Sequence, residues 1–169
     1  MKKIKTLQVV LIVLILLLTT SVAYASDHFV APLSGREEVP ERDTNATGVT
    51  TFKLSKDGTE LSYKLIVANI ENVTAAHIHC GAVGVSGSVG ATLFSGGMPG
   101  GGRFDGVLAE GIITAPDAGN LCGWADLDDV LAAIESGNAY VNVHTNDGVA
   151  PPNTGPGDFP GGEIRGQIK

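Results

Sequence analysis

The chain has 169 residues with 18 acidic and 11 basic side chains, which gives a formal net charge of -7. So acidic a chain disfavours nucleic acids and anionic membranes as partners, because both carry negative charge themselves. Histidine and cysteine are scarce, with four and two residues respectively, so their positions carry most of the chemical information.

Residues 1–25 predict an export signal. Three lysines precede an apolar run at 9–18, and Ala23-Tyr24-Ala25 fits an A-x-A cleavage site. The run is shorter than the ~20 apolar residues that span a bilayer, although an uncleaved anchor is the alternative. We expect cleavage after Ala25, no membrane insertion of the mature chain, an extracytoplasmic location (secreted or periplasmic), and a single domain over residues 26–169.

The rest of the chain reads as strands separated by turn residues. The predicted strands are 28–33, 48–54, 61–68, 74–79, 90–94, 104–114, 138–144 and 163–168. One short helix is predicted near 126–137, with Asp126 as its N-cap and Gly137 at its end. Eight short strands in one domain indicate an all-β fold, either an antiparallel Greek-key sandwich or a flattened barrel.

Three of the four histidines lie in two of these strands. Because strand side chains alternate between faces, His77 and His79 share one face, and Tyr140, Asn142 and His144 share a face of the later strand. If the two strands are neighbours, three imidazoles converge. Three imidazoles can hold one metal ion, and both copper and zinc accept such ligands. Ordinary structural or surface histidines are the alternative.

His28 has three interpretations. Cleavage after Ala25 would make it the third residue of a new N-terminus, where an amine, two amides and an imidazole can bind square-planar Cu(II) or Ni(II). It is otherwise simply the first residue of the first strand. In the third interpretation, it is a fourth ligand of the main metal site.

Cys80 and Cys122 most simply form one disulfide in an exported chain. A copper site with histidine and cysteine ligands is the alternative. In a continuous strand, however, Cys80 would point to the face opposite His79.

The last predicted strand places Glu163, Arg165 and Gln167 on one face. An arginine beside a metal would attract and orient a small anion, and a surface contact between Arg165 and Glu163 is the alternative. The segment 145–162, rich in glycine and proline, begins one residue after His144. We expect it to form a rim over the site.

Four parts of the chain together resemble the CHRD domain, a family first named from chordin. They are Leu33-Ser34-Gly35 with Glu38-Val39-Pro40, and the segments 74–79, 140–145 and 161–168. The resemblance covers nearly the whole chain after residue 25. It implies an extracytoplasmic β domain and says little about activity.

A second resemblance is to the copper half of copper/zinc superoxide dismutases, which are Greek-key β-barrels with a disulfide. The strands around His77, His79 and His144 and the glycine-flanked Arg165 carry it. It implies three copper ligands and an arginine that guides superoxide, a small anionic substrate. The bridging histidine and the zinc ligands have no counterparts in this sequence, so the resemblance implies a copper-only enzyme.

Three functions follow as hypotheses. The first is an oxidoreductase that dismutates superoxide at a His-ligated copper. The second is non-enzymatic copper storage or delivery by the same ligands. The third is an extracellular adhesion or ligand-binding module with structural histidines. The sequence carries no signal for an oligomeric state.

Overall fold

The computed structural model describes residues 27–169, so the predicted export signal at 1–25 lies outside the described residues. The described part contains eight strands, a single turn of 3-10 helix at Gly35–Glu37 and one α-helix, α1, at Leu127–Glu135. The strands are β1 His28–Ser34, β2 Thr47–Leu54, β3 Leu61–Glu71, β4 Val73–Cys80, β5 Val89–Phe94, β6 Arg103–Ile113, β7 Ala139–Thr145 and β8 Ile164–Gln167. The prediction of an all-β fold with about eight strands and one short helix is confirmed.

All eight strands belong to one sheet, in the order β5-β4-β7-β8-β1-β2-β3-β6. Every neighbouring pair is antiparallel. The sheet curls into a nearly closed barrel, in which the two end strands β5 and β6 contact each other. The Tyr63 hydroxyl of β3, the strand next to β6, donates to the Leu93 carbonyl of β5 at 2.7 Å and so helps to close the barrel.

A sharp corner separates β3 from β4. Asn72 alone connects the two strands, and both Asn69 and Asn72 adopt left-handed backbone conformations, with φ of 56° and 53°. Asparagine tolerates this conformation better than most residues. The Asn72 side chain accepts from the Gly102 amide at 2.9 Å and donates to the Gly157 carbonyl at 3.2 Å. The corner sends β4 to the far part of the sheet, where it pairs with β7.

The inner faces of β4, β7 and β8 build the apolar core. Ala76, Ile78, Val141, Val143 and Ile164 are all fully buried. Burying such side chains stabilises the fold by roughly 1.5–3 kcal/mol for each large one. The core therefore fixes the inward face of these strands, and the alternation of side chains turns the three histidines to the opposite face.

That opposite face is also covered. Its polar side chains Tyr140, Asn142 and Arg165 are only 2–3% exposed. The reason is that loops fold over the strands. Arg165 and Gln167 donate to carbonyls of the loop that follows β4, at Ala82 and Gly81, each at 2.9 Å.

The helix forms as predicted. The Asp126 side chain accepts from the Asp129 amide at 3.2 Å, and Gly137 follows the helix with φ of 71°. Leu127, Val130 and Ile134 are buried, and α1 packs against β7. Within residues 27–169, no helix has both the length and the hydropathy needed to span a membrane.

Candidate metal centre

The three imidazoles of β4 and β7 meet at one point. The antiparallel register sets His77 opposite Asn142, Ala75 opposite His144, and His79 opposite Tyr140. The ring of His144 lies 5.0 Å from that of His77 and 5.4 Å from that of His79, between centroids. One ring nitrogen from each residue lies within 4.8 Å of the other two. The predicted convergence of three histidines is confirmed.

Main-chain carbonyls orient two of the rings. The Nδ1 atom of His79 lies 3.0 Å from the Gly87 carbonyl oxygen, and Nδ1 of His144 lies 3.0 Å from the Pro160 carbonyl oxygen. A carbonyl oxygen only accepts, so both imidazoles carry their proton on Nδ1 when they are neutral. Their Nε2 lone pairs are then available, and the two Nε2 atoms lie 3.3 Å apart.

This arrangement fits a metal better than it fits the protein alone. Two nitrogen lone pairs that face each other at 3.3 Å repel unless a cation or a proton lies between them. In addition, Nδ1 of His77 is buried without a hydrogen-bond partner, a state that costs roughly 1–3 kcal/mol. Donation of the second ring nitrogen to a carbonyl is the usual support for a metal-bound histidine. The donor set therefore suits Cu or Zn.

Electrostatics keep the three rings neutral at ordinary pH. Burial lowers the pKa of His144 and His79 to about 4 in each case. Burial also lowers the pKa of His77, against the opposing effect of the Asp117 carboxylate. Neutral imidazole is the form that binds metals.

Asp117 stands near the cluster and is held in place. Its carboxylate accepts from the Thr92 amide at 3.1 Å and from the Thr92 hydroxyl at 2.7 Å, and Thr92 pairs with His77 across β5 and β4. An open cleft of about 450 Å³ runs from Asp117 to His79, past Asn120. The carboxylate favours cations at this edge of the cluster.

Arg165, the predicted guide for an anion, lies beside the cluster but is buried. Its Nη2 donates to the Ala82 carbonyl at 2.9 Å, and its guanidinium covers the Tyr140 ring at 3.4 Å from the centroid. Glu163 accepts hydrogen bonds from threonine hydroxyls and a backbone amide. The direct action of Arg165 on a substrate stays a prediction.

The structure does not bring His28 into the cluster. His28 opens β1, its side chain is 64% exposed, and its Nε2 lies 3.9 Å from an Asp27 carboxylate oxygen. On β1 it lies six residues from Ser34, the partner of Arg165, a distance of about 20 Å along the strand. Ser26, which the N-terminal copper motif requires, lies outside the described residues.

The predicted disulfide between Cys80 and Cys122 is present, with Cα atoms 5.7 Å apart. It ties the end of β4, one residue after His79, to the segment before α1. Because both sulfurs are in the disulfide, neither cysteine offers a thiolate, and the alternative of a cysteine copper ligand does not apply to this form of the chain.

Sequence reasoning missed the groups that orient the rings. The Gly87 and Pro160 carbonyls are main-chain atoms, which no residue pattern reveals. Tyr140 was placed on the correct face, but the stacking of its ring on His79, at 5.1 Å and 14°, could not be read from the sequence. Glu38 is a further miss: it is 7% exposed, and one of its carboxylate oxygens is buried without a partner.

Glu38 gives a prediction about stability. Burial raises its pKa from 4.5 to about 7, although Arg165 and Arg42 act in the opposite direction. Below pH 4.5 the carboxyl is protonated in both the folded and the unfolded chain, so it has no effect on stability. Between pH 4.5 and about 7 the unfolded chain loses this proton more readily than the folded chain, so the folded chain is destabilised progressively, by about 3 kcal/mol once the pH exceeds 7. Glu38→Gln should therefore raise the urea midpoint at pH 8 and leave it nearly unchanged at pH 4.

Glu37→Gln is the matched control, because Glu37 precedes Glu38 and is exposed. It should shift the urea midpoint little at either pH. Equal midpoints for Glu38→Gln and the parent chain at pH 8 would contradict the assignment of an ionised, poorly solvated carboxylate.

Comparisons with known proteins agree with the first of the two resemblances. Residues 29–168 match the CHRD domain family along nearly the entire length that the structure describes. No curated protein and no solved structure gives a significant match. The eight-stranded domain that carries the three histidines thus belongs to the CHRD domain family.

Proposed function

We propose that this chain is an exported copper-binding protein whose ligands are His77, His79 and His144. The observation that carries the proposal is the 3.3 Å approach of the His79 and His144 Nε2 atoms, while both Nδ1 atoms face carbonyls. Without a bound cation the two Nε2 lone pairs repel each other, and a cation bound between them removes this repulsion. The disulfide supports an oxidising compartment outside the cytoplasm.

Copper is preferred over zinc for a thermodynamic reason. Sites of nitrogen donors bind Cu(II) more tightly than Zn(II), in the usual order of divalent metals. Zinc remains the second choice, because three imidazoles also suit it. The acidic chain and the Asp117 carboxylate both favour the approach of a metal cation.

Dismutation of superoxide is the activity that we propose for the copper-loaded chain. Bound copper would supply reversible one-electron chemistry. The protein contributes three oriented imidazoles, a cleft that reaches His79, and the burial that keeps the rings neutral. Water in the cleft can supply the protons that peroxide formation consumes.

Copper storage or delivery is the second candidate, and two observations favour it. Arg165 is only 2% exposed and is already bonded to Ala82, so it is poorly placed to meet an anion. Asp117 adds negative charge near His77. A site of this kind would bind copper tightly without turning superoxide over.

A copper titration of the purified protein tests the proposal. We expect one equivalent to bind per chain, and His144→Ala to lower the affinity by at least about 100-fold, because it removes one of three donors. His28→Ala is the matched control and should bind as the parent does. Loss of the equivalent in His28→Ala but not in His144→Ala would instead assign the copper to the N-terminal motif.

The same preparations separate the two activities. Superoxide decay that depends on copper and disappears in His77→Ala supports dismutation. Tight binding of one equivalent without accelerated decay supports storage or delivery. Failure of the parent chain to take up copper rejects both and leaves a binding module with structural histidines.

A further inference from the structure

Tyr140 lies between His79 and Arg165. Its ring is stacked on the His79 imidazole with centroids 5.1 Å apart and planes within 14°. The Arg165 guanidinium carbon lies 3.4 Å from the same Tyr140 centroid. His79 belongs to β4 and Arg165 to β8, and these strands flank β7 on opposite sides. The imidazole and the guanidinium therefore approach Tyr140 from opposite sides.

The Tyr140 hydroxyl contacts Gly87, the residue whose carbonyl orients His79. It accepts from the Gly87 amide at 3.0 Å, while the Gly87 carbonyl faces Nδ1 of His79 at 3.0 Å. The ring of Tyr140 and its hydroxyl thus contact both His79 and the residue that orients His79. With 2% of its surface exposed, Tyr140 has little room to move.

Arg165 is equally fixed. Its Nη2 donates to the Ala82 carbonyl, in the same loop as Gly87, and its backbone pairs with Ser34 on one side and Asn142 on the other. At 2% exposure its charge is weakly screened, since buried charges interact through a low effective dielectric. A permanent positive charge therefore lies one ring away from a predicted metal ligand.

We propose that Arg165 is a positioning residue for the metal centre. Arg165 acts on His79 through the Tyr140 ring, and its charge makes the site favour Cu(I) over Cu(II). The inference rests on the proposed copper site. The stack holds the His79 imidazole in its orientation, and a fixed cation nearby disfavours the more highly charged metal. Groups that support metal ligands in this way tune both affinity and redox behaviour.

The test measures copper affinity in both oxidation states with competing chelators. In Arg165→Gln the ratio of Cu(I) affinity to Cu(II) affinity should fall by about tenfold, because the cation is lost. Arg165→Lys keeps the charge and should keep most of the ratio. Tyr140→Phe keeps the stack and should leave the ratio within about twofold of the parent. The electron paramagnetic resonance spectrum of the Cu(II) form should change in Arg165→Gln.

Gln167→Leu is the matched control for a merely structural role. Gln167 lies on the same face of β8 and donates to the Gly81 and Gly137 carbonyls, so its loss should lower the thermal midpoint without changing the affinity ratio. A copper-loaded Arg165→Gln with the parental ratio and spectrum overturns this inference alone. A ratio that falls equally in Gln167→Leu also overturns it. Absence of copper uptake by the parent chain overturns the inference together with the proposed function.

Discussion

Replacing Gly87 with alanine is expected to displace the loop that orients His79 and to lower copper affinity by about 10- to 100-fold. A Cβ atom at this position would lie 1.5 Å from the Cys80 carbonyl oxygen, and a backbone atom cannot move aside as a flexible side chain can. The loop must shift, and the Gly87 carbonyl then leaves Nδ1 of His79. We expect a loss of about 3 kcal/mol or more in unfolding free energy, measured by urea denaturation beside the copper titration.

Gly84→Ala is the matched control in the same loop. Gly84 has a positive φ, 77°, which Gly87 does not, and a Cβ there would meet nothing within 4 Å. Its replacement should cost about 1 kcal/mol from backbone strain and leave copper affinity at the parental value. Parental copper affinity in Gly87→Ala would show that the His79 orientation does not depend on this carbonyl.

Glu163→Ala is expected to cause the largest loss of stability, about 4 kcal/mol or more. Its carboxylate is fully buried and accepts from the Thr44 hydroxyl, the Thr145 hydroxyl and the Gly157 amide, at 2.6 to 2.8 Å. Each hydrogen bond to a charged group contributes roughly 1.5–3 kcal/mol, and its loss leaves a buried donor unsatisfied. Urea denaturation measures the change directly.

The same substitution should weaken copper binding, because Glu163 holds the segment that contains Pro160, whose carbonyl orients His144. Thr44→Ala is the graded control: it removes one of the three hydrogen bonds to Glu163 and also the acceptor of the Ala46 amide, and it should cost about 2–3 kcal/mol with parental copper affinity. Equal urea midpoints for Glu163→Ala and Thr44→Ala would contradict the central role of this carboxylate.

Much of the fold could be predicted because most strands carry one predominantly apolar face. The alternation of Ala76 and Ile78 with His77 and His79 follows directly from strand geometry, and the structure bears it out. The helix was recognisable because capping has a local signature, and Asp126 does accept from the Asp129 amide. The disulfide followed from a pair of cysteines in a chain predicted to be exported.

The covering of the opposite face could be predicted only in part: a rim at 145–162 was expected, and Pro160 of that segment does contact His144, but the cover formed by the loop after β4 was not expected. Alternating Tyr140, Asn142 and His144 look the same whether water or a loop lies above them. Their burial depends on where loops fold, and that depends on contacts distant in sequence, such as Thr44 with Glu163 across 119 positions. The burial of Arg165 could not be predicted for the same reason. Its acceptor, the Ala82 carbonyl, is 83 residues away, and a main-chain carbonyl cannot be recognised from a sequence pattern.

The use of main-chain oxygens to aim His79 and His144 has an evolutionary consequence. Every residue carries a main-chain carbonyl, so hydrogen bonding to the two imidazoles does not restrict the amino-acid type at positions 87 and 160. Relatives could keep the same imidazole orientation while their loops diverge, as long as the course of the backbone persists. Position 87 is nevertheless restricted to glycine by space, because a Cβ atom there would collide with the Cys80 carbonyl. In the sequences of the family, this centre would then appear as three conserved histidines, while the loops that supply the carbonyl acceptors vary.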